Sequence, residues 1–250
     1  MFIDVHCHLD SNYYNDIDKV INNAKKNNVN KLIYNGCNKK SNKEVIELIN
    51  KYDSVYGAVG YHPTELDDIK EKDYELLEKL LSNKKIVAIG EIGLDYHYPD
   101  TNKEKQKDAF RRQLELAEKH NIPVIVHSRD AIQDTFDIMS EYNIKGVIHC
   151  FSGSVEMAKE FIKKGFLISV GGIITFKNAK NIIEVIKNID LSYILLETDS
   201  PYLTPEPFRK EQNEPMYIPI IASKIADILN VSIEEVSSKT TDNAKRLFDF

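Results

Sequence analysis

Phe2-Ile3-Asp4-Val5-His6-Cys7-His8 is the stretch from which the fold is read. Ile3 and Val5 give it strand character. Side chains alternate along a strand, which puts Asp4, His6 and His8 on one face and Ile3, Val5 and Cys7 on an apolar, core-facing one. Two neutral imidazoles two residues apart attract a divalent cation, and Asp4 behind them is placed to orient one ring. A lone His-x-His is weak evidence, so the strands that follow decide the matter.

A short apolar run followed by a helical pattern recurs to the end of the chain. Runs that read as strands are Phe2–His8, Lys31–Gly36, Val55–Tyr61, Ile86–Glu91, Ile122–His127, Lys145–His149, Phe166–Val170 and Tyr193–Thr198. Helical patterns fall at Ile17–Asn28, Ser41–Tyr52, Asp73–Leu81, Lys103–His120, Ala131–Tyr142, Val155–Lys164, Ala179–Asn188 and Ile220–Leu229. Ser41 reads as an N-cap with Glu44 closing a capping box, and Gly165 as a C-cap. Gly93 reads as part of a loop after the fourth strand. Strict alternation implies a parallel sheet, and eight units close most naturally into a (β/α)8 TIM-type barrel. An open doubly wound sheet is the weaker alternative, because no Gly-rich phosphate loop follows the first strand. A further segment, roughly Ile233–Leu247, reads as an extra C-terminal helical appendage.

The bulk composition agrees. A chain of 250 residues suits one barrel domain spanning 1–250, with no linker inside it. Hydrophobic residues make up 42% and charged residues 29%, the balance of a soluble globular protein. A net charge of -6 argues against a broad electrostatic grip on nucleic acid, but leaves room for an enzyme that takes one strand end into a pocket. Three cysteines without C-x-x-C spacing fit a reducing cytoplasm and no disulfide framework. No signal peptide is expected, and no apolar stretch is long enough to span a bilayer.

In such a barrel the site lies at the C-terminal ends of the strands. His6 and His8 end the first strand, His62 follows the third, Glu91 ends the fourth, His127 the fifth and His149 the sixth; Asp199 follows the eighth. Five of the seven histidines thus reach one rim with an acid from each of two other strands, a set best explained by metal. Six donors exceed what one tetrahedral ion needs and suit two ions sharing a carboxylate. Glu91, near the middle of the strand order, is the expected bridge. His6 and His8 would hold one ion with Asp199, and His127 and His149 the other. Asp199 is also placed to take a proton from water, its alternatives being a purely structural ligand or an N-cap for the next loop.

Six motifs carry a family resemblance: Asp4-Val5-His6-Cys7-His8-Leu9-Asp10, Gly60-Tyr61-His62-Pro63, Gly90-Glu91-Ile92-Gly93-Leu94-Asp95-Tyr96, Val126-His127-Ser128-Arg129, His149-Cys150-Phe151-Ser152-Gly153 and Glu197-Thr198-Asp199-Ser200-Pro201-Tyr202-Leu203. With them the chain resembles the TatD-type metal-dependent deoxyribonucleases of the amidohydrolase-like barrel superfamily. The resemblance implies a TIM-like barrel, a divalent-metal site and hydrolysis of nucleic acid phosphodiesters as a 3′-5′ exonuclease. It maps the family's metal residues onto His6, His8, Glu91, His127, His149 and Asp199. One departure is the loop Lys210-Glu211-Gln212-Asn213-Glu214-Pro215, where relatives often carry Gly and a second base.

Around the centre, His62, Arg129 and Arg209 are candidates for holding a substrate phosphate. Packing on the loop is the alternative for His62, and a surface salt bridge for Arg129. Tyr96, Tyr98 and Tyr202 fall on rim loops, where a ring can stack a base or pack locally. His97 has no assigned role, and His120 ends a helix. Cys7 and Cys150 are expected to be buried and inert. Magnesium, manganese and zinc all suit the donor set. A nucleic acid strand end is the expected partner, with no membrane and no obligate protein partner. The same centre would serve an ester hydrolase such as an aminoacyl-tRNA deacylase, and a non-enzymatic metal-binding scaffold is the remaining alternative. Cyclic amide hydrolases of the superfamily often bridge their metals with a modified lysine on the fourth strand; this chain has Glu91 there.

Overall fold

The computed structural model describes residues 1–250. Eight strands alternate with helices: β1 (Phe2–Cys7), α1 (Ile17–Lys26), β2 (Val29–Asn35), α2 (Lys39–Lys51), β3 (Val55–Val59), α3 (Glu71–Leu80), β4 (Ile86–Asp95), α4 (Lys103–His120), β5 (Val124–Arg129), α5 (Ile132–Met139), β6 (Gly146–Ile148), α6 (Val155–Lys163), β7 (Leu167–Val170), α7 (Lys180–Asn188) and β8 (Ile194–Leu196). Two helices, α8 (Ile218–Leu229) and α9 (Ile233–Phe248), complete the chain. The strands pair in parallel and in sequence order from β1 to β8. At the seam, Asp199 N–H donates to His6 O at 2.9 Å and His8 N–H to Ser200 O at 2.7 Å. The architecture is the expected TIM-type barrel.

Most of the apolar residues pack between the strands and the helical ring, where each fully buried Leu, Ile or Phe contributes roughly 1.5–3 kcal/mol. A smaller cluster fills the lower barrel, including Ile33, Ile125, Val147, Leu167 and Leu195. Two residues on, the same strands carry Asn35, His127, His149, Ser169 and Glu197. A period of two keeps these on the inner face, so the apolar floor gives way to a polar layer at the C-terminal mouth.

The register slips at four places, and two of these lie beside residues of the mouth. In β1 the register slips between Asp4 and Cys7. Ile3 and Val5 belong to the interior cluster, whereas Cys7 joins the layer beneath the helices. Val5 and His6 therefore both face inward, as a bulge permits. The expected face shared by Asp4, His6 and His8 is corrected accordingly: Asp4 turns away from the rings. β4 slips between Ile89 and Ile92, next to Glu91.

Other boundaries also move. β4 runs on to Asp95 rather than stopping at Glu91, so Gly93 is a strand residue. Its φ is +138°, and a Cβ there would lie 2.0 Å from His127 O. Only glycine lets β4 approach β5 this closely. α2 is capped by Asn38, not Ser41; the Asn38 side chain accepts from Ser41 N–H, and Ser41 closes the box. The C-terminal helix is not an appendage. Ala244, Leu247 and Phe248 of α9 join the interior cluster and stop the lower end of the barrel, while Ser237 and Thr241 hydroxyls donate to Met1 O. No single helix is long and apolar enough to cross a membrane.

Candidate metal centre

Glu91 stands between two groups of donors at the mouth of the barrel. Its Oε2 lies 3.5 Å from Nε2 of His6 and 3.5 Å from Nε2 of His8. Asp199 Oδ1 lies 3.6 Å from each of the same nitrogens, which are 3.2 Å apart. On the other side, Glu91 Oε1 lies 2.9 Å from His127 Nδ1 and 3.0 Å from His149 Nε2, with 3.3 Å between the two nitrogens. All six residues thus converge; Glu91 meets His6 and His8 through one oxygen and His127 and His149 through the other, while the donor atoms of His6, His149 and Asp199 also lie within 4.8 Å of one another.

The spacing suits a divalent cation. Donors about 2.1 Å from a tetrahedral ion stand about 3.4 Å from one another. Lone pairs of several imidazoles and carboxylates facing one point repel unless a positive charge lies between them. Ring orientation supports the same use. His8 Nδ1–H donates to Asn35 O at 3.0 Å, and His127 Nε2–H donates to Asp95 Oδ2 at 3.1 Å, so each ring turns its other nitrogen to the centre as an acceptor. His6 Nδ1 and His149 Nδ1 have no hydrogen-bond partner.

Charge follows the geometry. Burial pushes the Glu91 carboxyl up, but His62, His149, His6 and His127 together hold it well below the carboxylate range. Asp199 is likewise lowered against its burial by His8, His149 and His6. His149 is disfavoured as a cation by burial, yet Glu91 and Glu197 raise it well above an ordinary imidazole. His8 is also raised well above, against burial, by Cys37, Asp199 and Glu91. The anionic groups that suit a cation thus also favour the protonated forms of His8 and His149.

A cleft of about 690 Å³ opens above these donors. His62 lies in its wall, 3.5 Å from Glu91 Oε1 through Nε2. Thr64 N–H donates to His62 Nδ1, which leaves Nε2 as the protonated, donating nitrogen. Arg129 also lines the cleft, with no salt bridge to the following helix, as do Tyr98 and Tyr202. Arg209 does not reach it: the guanidinium donates to Thr204 O at 2.9 Å and lies over Phe176. Tyr96 is tied down by donating to Asp134. His97 and His120 contact Asp130 and Glu78, away from the centre.

Two readings need revision, and one residue gains a place. Asp4 orients no imidazole; its carboxylate accepts from His6 N–H, Thr198 N–H and Thr198 Oγ–H, bracing β1 against the segment after β8. Cys150 is not sealed in the core but borders the cleft, its thiol pushed up by burial. Cys37, given no role from sequence, sits 3.5 Å from Glu91 Oε2, its thiol pushed up to about 12 by burial. Cys7 is buried as expected.

Sequence reasoning also missed two carboxylates. Asp95 holds His127 from behind, and Glu197 accepts from Cys150 N–H and Ser169 Oγ–H at 2.6 and 2.5 Å. The signal for Asp95 was its spacing, since Glu91, Gly93 and Asp95 share one strand face.

Known proteins share this arrangement of chain. The family model described as TatD related DNase matches residues 3–249. YabD of Bacillus subtilis (strain 168), named as an uncharacterized metal-dependent hydrolase, is 43% identical, over 99% of this chain and 99% of its own. YcfH of Escherichia coli (strain K12), similarly named, is 36% identical over 98% and 95% of the two chains. The crystal structure of YJJV, a TatD homolog from Escherichia coli K12, superimposes with a TM-score of 0.95 at 30% identity, covering 100% of this chain and 98% of that one. The chain is a metal-dependent hydrolase and belongs to the TatD-related DNase family.

Proposed function

We propose that the protein hydrolyses nucleic acid phosphodiesters from a strand end, as a 3′-5′ exodeoxyribonuclease. One observation carries the reading: Glu91 divides the surrounding donors into two sets, one on each carboxylate oxygen, inside a cleft that also presents an arginine. His6, His8, Asp199 and Glu91 Oε2 would hold one divalent ion, and His127, His149 and Glu91 Oε1 a second. Such ions would supply a water acidified toward neutrality and Lewis-acid polarisation of the phosphoryl group. Magnesium, manganese and zinc remain the candidates.

The protein groups would do the rest. Asp199, kept ionised by its imidazole neighbours, accepts the proton of the attacking water. His62, whose imidazole is lowered by burial, offers Nε2–H to a phosphate oxygen without carrying charge. Arg129 forks onto the phosphate and fixes its position. Free cysteines fit a cytoplasmic location.

The test incubates the purified protein with end-labelled single-stranded DNA, single-stranded RNA and a charged tRNA, each with magnesium, manganese, zinc or excess EDTA. The expected result is metal-dependent shortening of DNA from the 3′ end. Full activity in EDTA overturns the mechanism. Release of the amino acid from tRNA with no strand cleavage moves the function to ester hydrolysis.

A further inference from the structure

The chain has five arginines, and four are engaged with their own surroundings. Arg111 pairs with Glu141, Arg112 with Glu71, Arg209 bonds Thr204 O, and Arg246 bonds Ser192 O. Arg129 alone has neither an ion pair nor a hydrogen bond from its guanidinium. It lies over the Tyr98 ring, 5.9 Å from the centroid, and it is the one Lys or Arg in the cleft wall. Nearby lysines are occupied: Lys39 with Asp73, and Lys40 with Asn12 and Glu44. The wall also carries Asp10 and Glu65, which would repel a second phosphate.

Aromatic rings collect at the same place. Of six exposed large apolar side chains in the molecule, Tyr13, Tyr98 and Tyr202 border the cleft. Tyr202 stands edge-on to His8, with ring centres 6.2 Å apart. Tyr13 braces it through a 2.5 Å contact between the two hydroxyls. An open ring one nucleotide step from the metal centre is a platform for an unpaired base. Arg129 comes from β5 and Tyr202 from the loop after β8, so the two lie on different arcs of the rim.

We infer that the cleft grips a single nucleotide step: Arg129 takes one phosphate and Tyr202, braced by Tyr13, takes the terminal base. A dinucleotide is then a sufficient substrate, and additional length adds little. The inference rests on the nuclease reading and narrows it to short oligonucleotides and frayed ends. A long strand needs a track of cations, each adding to the salt dependence of binding, and this cleft has one.

The experiment compares kcat/KM for a 5′-phosphorylated dithymidine dinucleotide and a 20-nucleotide single strand, in manganese, across a salt series. The dinucleotide should fall within about tenfold of the long strand, and the log–log salt slope for the long strand should be about -0.7, the value for one cation on a single strand. A larger advantage for length, or a slope steeper than about -3, overturns the inference. A second arm replaces the terminal base by a tetrahydrofuran abasic unit. Wild-type protein should lose about tenfold or more on that substrate. Tyr202→Leu should show no such discrimination, and Tyr202→Trp should restore it, with melting temperature and metal content unchanged. Discrimination that persists in Tyr202→Leu removes the ring from this role. If neither nucleic acid is cut with any ion, it is the nuclease reading that has failed.

Discussion

The Nε2–H of His127 donates to Asp95 Oδ2 at 3.1 Å, and that contact decides which nitrogen of the ring meets Glu91. Asp95 is itself fixed, accepting from His97 N–H at 3.0 Å, while Gln106 on α4 accepts from its backbone N–H at 2.9 Å. The outer helix thus positions a proposed ligand it does not touch. Asp95→Asn keeps the shape and removes the charge that holds the tautomer. Losing a partner of this kind costs about 10–100-fold in metal affinity. Metal titration by calorimetry should show one class of site weakened by that factor and the other unchanged. Two unaltered affinities would demote Asp95 to packing.

Glu91→Gln tests the shared carboxylate. The position is buried, and the amide fits the same space. The variant should fold, as judged by circular dichroism, and retain less than one equivalent of tightly bound metal. Turnover should fall by about 10³-fold, roughly 4 kcal/mol at 1.36 kcal/mol per decade. Near wild-type turnover with full metal content would require another bridge.

Most of the barrel and its mouth is legible in the sequence for one reason. A polar residue two positions beyond an inward-facing apolar strand residue, as His127 follows Ile125 and His149 follows Val147, continues the inner face at the mouth. What is not legible depends on breaks in that periodicity. The β1 bulge turns Val5 and His6 to the same side and sends Asp4 to Thr198, and alternation counted through it gives the wrong partner. Gly93 looks like a loop residue because glycine is common there; its reason is the approach of His127 O, a contact between strands. The amphipathic pattern of α9 shows that one face is buried, but not that it stops the barrel. Arg209 resembles a phosphate ligand by type and is held by its own loop by geometry.

Chelated protein should lose stability as pH rises above neutrality. His8 and His149 are raised well above 6.5 in the folded state, so their contribution is complete below 6.5 and fades as pH climbs through the raised values. Asp4, raised by burial, acts in the same direction. His6 is lowered from 6.5 and is neutral in both states above that value, so it does not oppose the trend. Metal reverses the dependence, because ligands bind it only when deprotonated. Melting temperature in EDTA should fall as pH rises from about 6.5, while the gap to the manganese-saturated protein widens. A flat or rising curve in EDTA would contradict the proton-holding centre.

Gly93→Ala tests how far the metal centre depends on the approach of β4 to β5. An alanine there adopts a backbone region that costs about 1–3 kcal/mol for a residue with a Cβ. The new methyl would also lie 2.0 Å from the carbonyl oxygen of His127, so the strands must part. That movement acts on the backbone of a proposed ligand, and Asp95 follows two residues later on the same strand. The variant should melt at least about 4 °C lower, given roughly 2–4 °C per kcal/mol in a chain near this size. Metal affinity should fall with it, and more for the site containing His127 than for the site containing His6 and His8. Gly165→Ala is the control. Its φ is +91°, but nothing lies within 4 Å of the added Cβ, so it carries the backbone cost without the collision. If both variants lose the same stability and neither loses metal, the strain is local and the spacing of β4 and β5 does not set the centre.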